Sequence, residues 1–459
     1  MNLLDTIAAI STPFGKGGIA VIRISGGEAF AVADKIFKPV GNKSLLDATP
    51  NTSYYGRIFL DDIQIDDGLA VCFKSPSSFT GEDTVEISCH GGILVTQRVL
   101  TAALNAGARV AQAGEFTRRA FINGKMNLSS AEALGSLLEA QTDEQIVLAR
   151  SGMRGTLSQK TDTIYNSLCS VLASVFAHID YPDEDLADMS EEHMIAAVDE
   201  NIQRLEALSA TYKTGRAIAE GIPTVIAGRT NAGKSSLYNA IVGRDAAIVT
   251  SIEGTTRDIL TETASLGRVM IRLSDTAGLR ETDDVVEKIG VERAKNELSR
   301  AELVLAVLDG SNAPSGEDIE FVNYLKNQNF TTIFILNKSD IGIHPKARKL
   351  AEGFEYNITM SAKSLDGLDG LISLVESVYI DNSLDTGRDA VIANSRQHSA
   401  VSRSLELLKN AKQYIGDGLP LEVCASELEG AMLALGELDG RTVAEDIVSK
   451  IFANFCVGK

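Results

Sequence analysis

The stretch Gly228-Arg-Thr-Asn-Ala-Gly233-Lys234-Ser235 decides the fold of the middle of this chain. It follows the apolar run Ile222-Pro-Thr-Val-Ile-Ala227 and precedes the helical pattern Ser236-Leu-Tyr-Asn-Ala-Ile241. The two glycines let the backbone curl so that its N–H groups point inward, and the following helix adds its positive N-terminal end. This order predicts a phosphate-binding loop, in which Lys234 reaches the β- and γ-phosphates and Ser235 ligates Mg²⁺.

Two further stretches suit a nucleotide with its metal ion. Asp275-Thr-Ala-Gly278 follows the strand-like run Val269-Met-Ile-Arg-Leu273. In phosphate-loop nucleotidases an aspartate at this point holds the Mg²⁺ shell, and the glycine N–H senses the γ-phosphate. Thr255-Thr256 lies between the first and second strands, where a mobile switch supplies a threonine ligand to Mg²⁺.

Two later apolar runs lead into residues that indicate the choice of base. Leu303-Val-Leu-Ala-Val-Leu308 ends in Asp309, and Thr332-Ile-Phe-Ile-Leu336 leads into Asn337-Lys-Ser-Asp340. The last carboxylate accepts from the guanine N1–H and exocyclic amine, a pair that adenine does not supply. Ser361-Ala-Lys363 matches the loop that packs on the base. Five elements in this order predict guanine-nucleotide binding and argue against an ATPase.

One position departs from small regulatory GTPases, which carry a water-positioning glutamine directly after the Asp-x-x-Gly stretch. Here Leu279 stands in that place, and a leucine cannot orient water. Asn231 in the phosphate-binding loop is placed to bind a monovalent cation, and a K⁺ there would neutralise developing charge as an arginine finger does. An ordinary loop-capping asparagine is the alternative for Asn231.

Composition favours a cytoplasmic protein of two or three domains. The chain has 459 residues, ordinary apolar and charged contents, and five scattered cysteines without a Cys-x-x-Cys pair, so neither a disulfide framework nor a zinc ribbon is indicated. The N-terminus has no basic region typical of a secretory signal, and no run of 18 apolar residues predicts a membrane span. A net charge of −19 argues against a broadly basic nucleic-acid surface, but leaves room for a local basic patch.

The predicted secondary structure changes in character three times along the chain. The N-terminal part has paired glycines and a predicted helix over residues 93–105, together with predicted strands over residues 18–24, 52–58, 69–73 and 84–88. Helical periodicity follows, with Ile164, Leu168, Val171, Val175 and Ile179 on one face. After the nucleotide-binding segment, helical periodicity returns, with Leu428, Met432 and Leu435 on one face.

We therefore expect a multidomain α/β protein in which one helical domain is split by an inserted Ras-like phosphate-loop GTPase domain. Insertion is plausible because the ends of such a sheet domain commonly lie close together. The expected boundaries are an N-terminal α+β domain over 1–120, a first helical part over 121–218, the GTPase domain over 219–383 and a second helical part with a tail over 384–459.

Two further features have plain interpretations. The acidic run Asp180-Tyr-Pro-Asp-Glu-Asp185 flanks a proline, which is typical of a solvated loop rather than a metal site. His90 precedes Gly91-Gly92 and is interpreted as a histidine that caps or packs beside a turn, with a catalytic role as the alternative.

Taken together, these stretches resemble the tRNA-modification GTPase family MnmE, also called TrmE, over essentially the whole chain. The resemblance includes Ile248-Val-Thr-Ser-Ile-Glu-Gly-Thr-Thr-Arg-Asp258, Asp275-Thr-Ala-Gly-Leu-Arg280 and Gly114-Glu-Phe-Thr-Arg-Arg-Ala-Phe121. The ending Phe455-Cys-Val-Gly-Lys459 resembles the family's C-terminal Cys-x-Gly-Lys. GTPases of other families share only the nucleotide-binding stretches.

The resemblance implies a homodimer that acts with a flavoprotein, MnmG, on the wobble uridine of certain tRNAs. It implies addition of a carboxymethylaminomethyl or aminomethyl group at carbon 5, with a one-carbon unit taken from a tetrahydrofolate such as 5-formyltetrahydrofolate. The N-terminal domain would bind the folate and mediate dimerisation, with folate contacts from Arg23, Glu86, Lys125 and Lys459. Cys456 would lie near the one-carbon unit, or serve only as a buried structural thiol.

The resemblance also assigns roles around GTP. It implies K⁺ bound by Asn231, Thr250, Ile252 and Thr255, Mg²⁺ bound by Ser235 and Thr256, and a water-orienting Glu287. The full expected GTP site consists of Asn231, Ala232, Gly233, Lys234, Ser235, Ser236, Thr250, Ser251, Ile252, Glu253, Gly254, Thr255, Thr256, Asp275, Thr276, Ala277, Gly278, Asn337, Lys338, Asp340, Ser361, Ala362 and Lys363. A ribosome-assembly GTPase and a GTP-switched scaffold without a chemical role are the alternatives.

Overall fold

A computed structural model describes residues 5–41, 43–180, 191–244, 262–273, 298, 301–453, 455, 456 and 458. The chain divides into two compact units. The first unit comprises residues 1–135 and 436–459, and the second comprises residues 136–435. The fold is multidomain α/β, as the sequence predicts.

The first unit contains a seven-stranded sheet in the order β3-β4-β5-β6-β2-β1-β7. Its strands are β1 Ile7–Ile10, β2 Ile19–Ser25, β3 Phe37–Pro39, β4 Ser53–Leu60, β5 Ile63–Phe73, β6 Thr84–His90 and β7 Arg109–Val110. Its first three helices are α1 Ala29–Ile36, α2 Ile93–Asn105 and α3 Glu115–Ile122. The four predicted strands and the predicted helix are confirmed, and the strand over 69–73 extends back to Ile63.

Side chains alternate between the two faces of this sheet, and one face is covered by α1 and α2. In β2, Ile22 and Ile24 are fully buried, and Val85 and Ile87 of the paired strand β6 lie beside them. These residues form one hydrophobic core with the buried faces of α1 and α2, which include Val99. Because side chains of a strand alternate between its two faces, Arg23 and Glu86 lie on the opposite face of the sheet.

The second unit contains a six-stranded sheet in the order β13-β12-β11-β8-β10-β9. Its strands are β8 Ile222–Ala227, β9 Glu262–Leu266, β10 Val269–Leu273, β11 Leu303–Asp309, β12 Thr331–Asn337 and β13 Tyr356–Thr359. All neighbours pair in parallel except β9 and β10. Strand β11 is buried at every position before Asp309, as a central strand covered on both faces must be.

Helices account for most of the remaining described residues. With the sheet of the second unit are α9 Lys234–Arg244, α10 Gly316–Lys326, α11 Pro345–Ala351 and α12 Leu368–Tyr379. The others are α4 Leu128–Glu139, α5 Asp143–Met153, α6 Thr156–Asp180, α7 Glu191–Ala210, α8 Tyr212–Ala219, α13 Ser395–Gly416, α14 Leu421–Asp439 and α15 Glu445–Ala453. None of the helices in the described ranges combines the length and apolar character that crossing a membrane requires.

The predicted helical periodicity is confirmed in α6 and α14. Ile164, Leu168, Val171 and Val175 are buried on α6, whereas Ile179 near its end is only half-buried. On α14 the three predicted positions, Leu428, Met432 and Leu435, are all buried.

The two chain segments that lead into and out of the nucleotide-binding sheet are joined by buried hydrogen bonds. Thr211 Oγ1 accepts from the Ile392 N–H at 3.0 Å, and Thr214 Oγ1 accepts from the Asp381 N–H at 2.8 Å. Helix α8 therefore lies beside the segment that leaves the sheet, which is the arrangement that insertion of a domain into a helical domain requires. The expected domain boundaries themselves stay a prediction.

Candidate functional site

The phosphate-binding loop runs from β8 into α9 through three residues with positive φ. They are Gly228 at 153°, Asn231 at 63° and Gly233 at 99°. A Cβ at Gly228 would overlap the carbonyl of Val307, and one at Gly233 would overlap the side-chain amide of Asn337. Glycine is therefore required at both positions by conformation and by the close approach of Val307 and Asn337.

Lys234 lies in the first turn of α9 with its ammonium against the loop. Its Nζ donates to the Arg229 carbonyl at 2.8 Å. Burial lowers the pKa of Lys234, because desolvation disfavours the cation. A phosphate anion beside this amine would stabilise its charged form, so the residues present fit a phosphate ligand.

The side chain of Asn337 connects the phosphate-binding loop with the two loops expected to recognise the base, residues 337–340 and 361–363. Its side chain is almost fully buried at 3% exposure. Its Nδ2 donates to the Ala232 carbonyl at 2.9 Å, and its Oδ1 accepts from the Ala362 N–H at 2.9 Å. One amide thus satisfies a backbone group in each of two loops that lie far away in sequence.

The neighbouring Lys338 takes a left-handed backbone conformation, with φ of 67°. Its Nζ lies 2.8 Å from Asp309 Oδ2 at the end of β11. Burial acts to raise the pKa of Asp309, but hydrogen bonds from Lys338 and Ser311 outweigh it and the pKa is lowered. Asp340 is exposed at the same loop, so its carboxylate is accessible to a ligand.

Sequence similarity over the full length decides the family. A family model described as the MnmE helical domain matches residues 128–456, and one described as the GTP-binding protein TrmE N-terminus matches residues 6–125. A Clostridioides difficile protein named tRNA modification GTPase MnmE is 39% identical over 461 residues, covering 100% of both chains. The protein of the same name from Lactococcus lactis subsp. lactis is 39% identical, covering 99% of this chain and 98% of its own.

The chain belongs to the MnmE family of tRNA modification GTPases. Membership of this family makes it a GTP-hydrolysing enzyme, in agreement with the loop geometry around Lys234 and Asn337.

Some residues that the MnmE resemblance singles out lie outside the described residues. These are Thr250, Ser251, Ile252, Glu253, Gly254, Thr255, Thr256, Asp275, Thr276, Ala277, Gly278, Glu287 and Lys459, together with Leu279 and most of the acidic run. Of the described ones, Ser235 is half-buried in the first turn of α9, and Ser361 and Ala362 are buried, whereas Asn231, Ser236 and Lys363 are exposed.

Two of the residues expected to bind folate in an MnmE protein form a direct ion pair. Arg23 and Glu86 are opposite each other on β2 and β6, and Arg23 Nε donates to Glu86 Oε1 at 2.8 Å. The guanidinium also lies over the rings of Phe79 and Phe116, at 5.4 and 5.6 Å from their centroids. Both partners of the pair remain partly exposed, so a ligand with complementary charges has access to them.

Lys125 approaches the same side of the unit. Its Nζ donates to the Pro76 carbonyl at 2.9 Å, in the loop that also carries Phe79. The C-terminal tail also reaches the N-terminal sheet, because Ser11 Oγ donates to the Gly458 carbonyl at 3.2 Å. Cys456 is exposed rather than buried, which removes the buried-thiol alternative for this residue.

His90 is held by a carboxylate rather than by packing. Its side chain is 71% exposed, and its Nδ1 lies 2.7 Å from Asp66 Oδ1. The hydrogen bond with Asp66 raises the pKa of His90. The exposed ring is therefore held by a hydrogen bond with Asp66 and not by packing beside the turn, and the catalytic role stays a prediction.

The sequence analysis does not identify the buried charged residues within the stretch 114–121. Arg119 and Glu115 are each 1% exposed, and Arg119 Nη2 donates to Glu115 Oε1 at 3.0 Å. Arg119 also contacts Glu82, and Arg109 Nη2 donates to Glu115 Oε1 at 2.7 Å. Burial acts to raise the pKa of Glu115, but its hydrogen bonds, above all from Arg109, lower it. The i, i+4 spacing of Glu115 and Arg119 was the available signal.

Arg229 is a second residue that the motif did not single out. Its guanidinium donates to Ser315 Oγ at 2.6 Å and lies 2.6 Å from Glu317 Oε2. Ser315 caps α10, so Arg229 links the phosphate-binding loop to the start of that helix. No local pattern predicts this contact, because its partners are 86 residues away or more.

Proposed function

We propose that this GTPase is stimulated by K⁺ and works with the flavoprotein MnmG to modify the wobble uridine of certain tRNAs. The modification is a carboxymethylaminomethyl or aminomethyl group at carbon 5, built with a tetrahydrofolate one-carbon unit. The observation that carries the proposal is the 39% identity, over the whole of both chains, to a protein named tRNA modification GTPase MnmE.

The nucleotide would be held by the loops that Asn337 joins. Backbone N–H groups of the phosphate-binding loop and the Lys234 ammonium suit the phosphates, and Asp340 suits the guanine N1–H and amine. Ser235 and Thr256 would bind Mg²⁺, which neutralises phosphate charge when it is present. The half-buried Ser235 at the start of α9 and the exposed Asp340 are compatible with these roles.

Hydrolysis without a glutamine would depend on Asn231 and Glu287. Asn231, with Thr250, Ile252 and Thr255, would bind a K⁺ that offsets negative charge on the phosphates. Glu287 would orient the attacking water through a second water. The exposed position of Asn231 in a left-handed turn of the loop supports a cation-binding role, because its side-chain oxygen is open to a ligand.

The folate would bind to the N-terminal sheet near Arg23, Glu86 and Lys125. Arg and Lys suit the carboxylates of a folate, and Glu suits the amino and N–H donors of its pterin ring. The position of Gly458 beside Ser11 supports participation of the tail and of Lys459. The functional unit would be a cytoplasmic homodimer that forms a heterotetramer or a larger complex with MnmG.

Nucleoside analysis of tRNA would test this function. In cells that lack the chain, we expect the wobble-uridine modification to disappear and to return with the wild-type gene but not with a variant carrying Asp340→Asn. Unchanged wobble uridine together with immature ribosomal particles would instead favour a ribosome-assembly GTPase. Lost modification without any binding of 5-formyltetrahydrofolate by the purified chain would favour a scaffold without a chemical role.

A further inference from the structure

Helix α11 carries three cations that have no acidic partner among the described residues. Lys346, Arg348 and Lys349 are all exposed, and the described part of the chain places no carboxylate within 4.0 Å of their charged nitrogens. We call these three residues the α11 basic surface. Several other cations of the second unit are paired, as Lys409 is with Glu206 at 2.7 Å.

The helix is held so that its cations face away from the core. Ala347 and Ala351 are buried in the hydrophobic cluster that includes Phe334 of β12. His344 caps the helix by accepting from the Lys346 N–H through Nδ1 at 3.2 Å, and Pro345 occupies the first turn. A rigid element therefore presents the α11 basic surface, and fewer degrees of freedom are lost on binding.

The α11 basic surface is a local concentration of positive charge on a chain that is acidic as a whole. The protein carries a net charge of −19, whereas this seven-residue helix carries three cations and no acidic residue. Glu352 follows one turn after Arg348 and reduces the local charge without pairing with it. Residues three positions apart on a helix have Cβ atoms about 5–6 Å apart, so Lys346 and Lys349 can contact neighbouring phosphates.

We propose that the α11 basic surface binds the sugar-phosphate backbone of tRNA. The inference rests on the proposed function, which makes tRNA the substrate, and it adds where on this chain the substrate makes contact. RNA is favoured over an acidic protein because lysine is depleted at protein interfaces, which depend on buried aromatic and apolar anchors.

Binding to phosphates has a measurable dependence on salt. Each phosphate that a cation neutralises adds roughly 0.7–0.9 to the slope of log affinity against log salt concentration. Substituting all three residues as K346Q, R348Q and K349Q should reduce that slope by about 2 to 3, and should weaken binding roughly ten- to a hundredfold near 0.1 M salt.

The experiment is fluorescence anisotropy of a labelled, unmodified tRNA transcript with the full-length, GDP-bound protein over a range of salt. The matched control substitutes three other exposed cations, as R150Q, R154Q and K160Q, which changes the net charge equally. We expect the control to keep the wild-type slope. A second variant, K346R with K349R, keeps the charge and should keep the binding, and equal GTP hydrolysis rates and melting temperatures show that all variants fold.

The proposal would be overturned if the wild-type protein did not bind tRNA, or if the control variant lost as much tRNA affinity as the triple variant. It would also be overturned if the triple variant lost binding to polyglutamate but kept binding to tRNA. Failure of the proposed function is a separate result, since it would appear as unchanged wobble uridine in cells lacking the chain. A different result is possible, in which those cells lose the wobble-uridine modification but the purified triple variant binds tRNA normally. That result would reject the tRNA-binding role of the α11 basic surface and leave the proposed function intact.

Discussion

At the scale of single residues, we propose that Asn231 compensates for the absence of a glutamine at position 279, where this chain has a leucine. We expect GTP hydrolysis to be faster in K⁺ than in Na⁺, because only K⁺ would fit the proposed site. Asn231→Ala should lose the K⁺ response, at a cost on the order of 10³-fold in rate, while GDP binding is kept. Steady-state phosphate release in the two salts measures this.

The matched control for this prediction is Asn239→Ala, which removes an exposed asparagine from α9, the helix that follows the same loop. It should keep the wild-type ratio of rates. Equal wild-type rates in K⁺ and Na⁺ would contradict the cation role of Asn231.

Asn337 is the residue whose structural role is clearest. Asn337→Ala would leave the Ala232 carbonyl and the Ala362 N–H without their partner in a buried setting. We expect a loss of about 1–3 kcal/mol in the free energy of unfolding of the nucleotide-binding domain, and weaker GDP binding. Urea unfolding and fluorescent GDP titration measure the two effects.

Asn357→Ala is the control for this substitution. Asn357 is exposed on β13, and its side-chain amide donates to the Phe354 carbonyl at 3.0 Å. Its loss should change stability by less than about 1 kcal/mol, because water can replace a partner at the surface. A similar effect of the two substitutions would show that the bridging bonds of Asn337 are not important for stability.

At the scale of elements, α8 is packed too closely against the segment that leaves the nucleotide-binding sheet to accept a larger residue. A Cβ at Gly215 would overlap the Ile392 carbonyl and lie 2.6 Å from Val391 Cγ1. Gly215→Ala should therefore destabilise the protein by about 1–3 kcal/mol, although alanine favours a helix. The midpoint of urea unfolding, followed by circular dichroism, measures this.

Gly416→Ala is the control that separates the effect of packing on stability from the effect of helix propensity. Gly416 ends α13, and the position that an alanine Cβ would take there has no other atom within 4 Å. Alanine at this position should therefore be neutral or stabilising by up to about 1 kcal/mol. If both substitutions raised the unfolding midpoint, the close contact at Gly215 would not constrain α8.

At the scale of the whole molecule, the two ends of the chain belong to one unit. Gly458 lies against the Ile10 carbonyl, and the Gly114 N–H donates to the Cys456 carbonyl at 3.4 Å. Deleting residues 456–459 should weaken binding of 5-formyltetrahydrofolate at least roughly tenfold, or about 1.4 kcal/mol, and abolish tRNA modification. GTP affinity should hardly change, because the nucleotide-binding loops belong to the other unit.

Calorimetry with each ligand measures both affinities of the truncated protein. Lys459→Ala is the companion variant, since it removes one cation and leaves the tail contacts of Gly458 in place. Unchanged folate affinity after the deletion would remove the tail from the folate site.

Much of the fold could be predicted because its signals are local. The phosphate-binding loop needs glycines at fixed spacing, and the helical segments need an apolar residue every three or four positions, so both are visible in contiguous sequence. The sequence analysis does not predict the strands β1, β3, β7, β9 and β13. They are four, three, two, five and four residues long, and runs this short do not differ enough from loops.

The sequence by itself determined the family, and it predicts the nucleotide-binding loops and the order of the domains, because each depends on neighbouring residues in the chain. Only the tertiary structure decided which distant groups meet. Asn337 bonds with Ala232 across 105 positions, and Ser11 with Gly458 across 447. The unpaired state of the α11 basic surface is also a tertiary property. Such contacts depend on the path of the whole chain, which brings together residues whose local patterns carry no sign of each other.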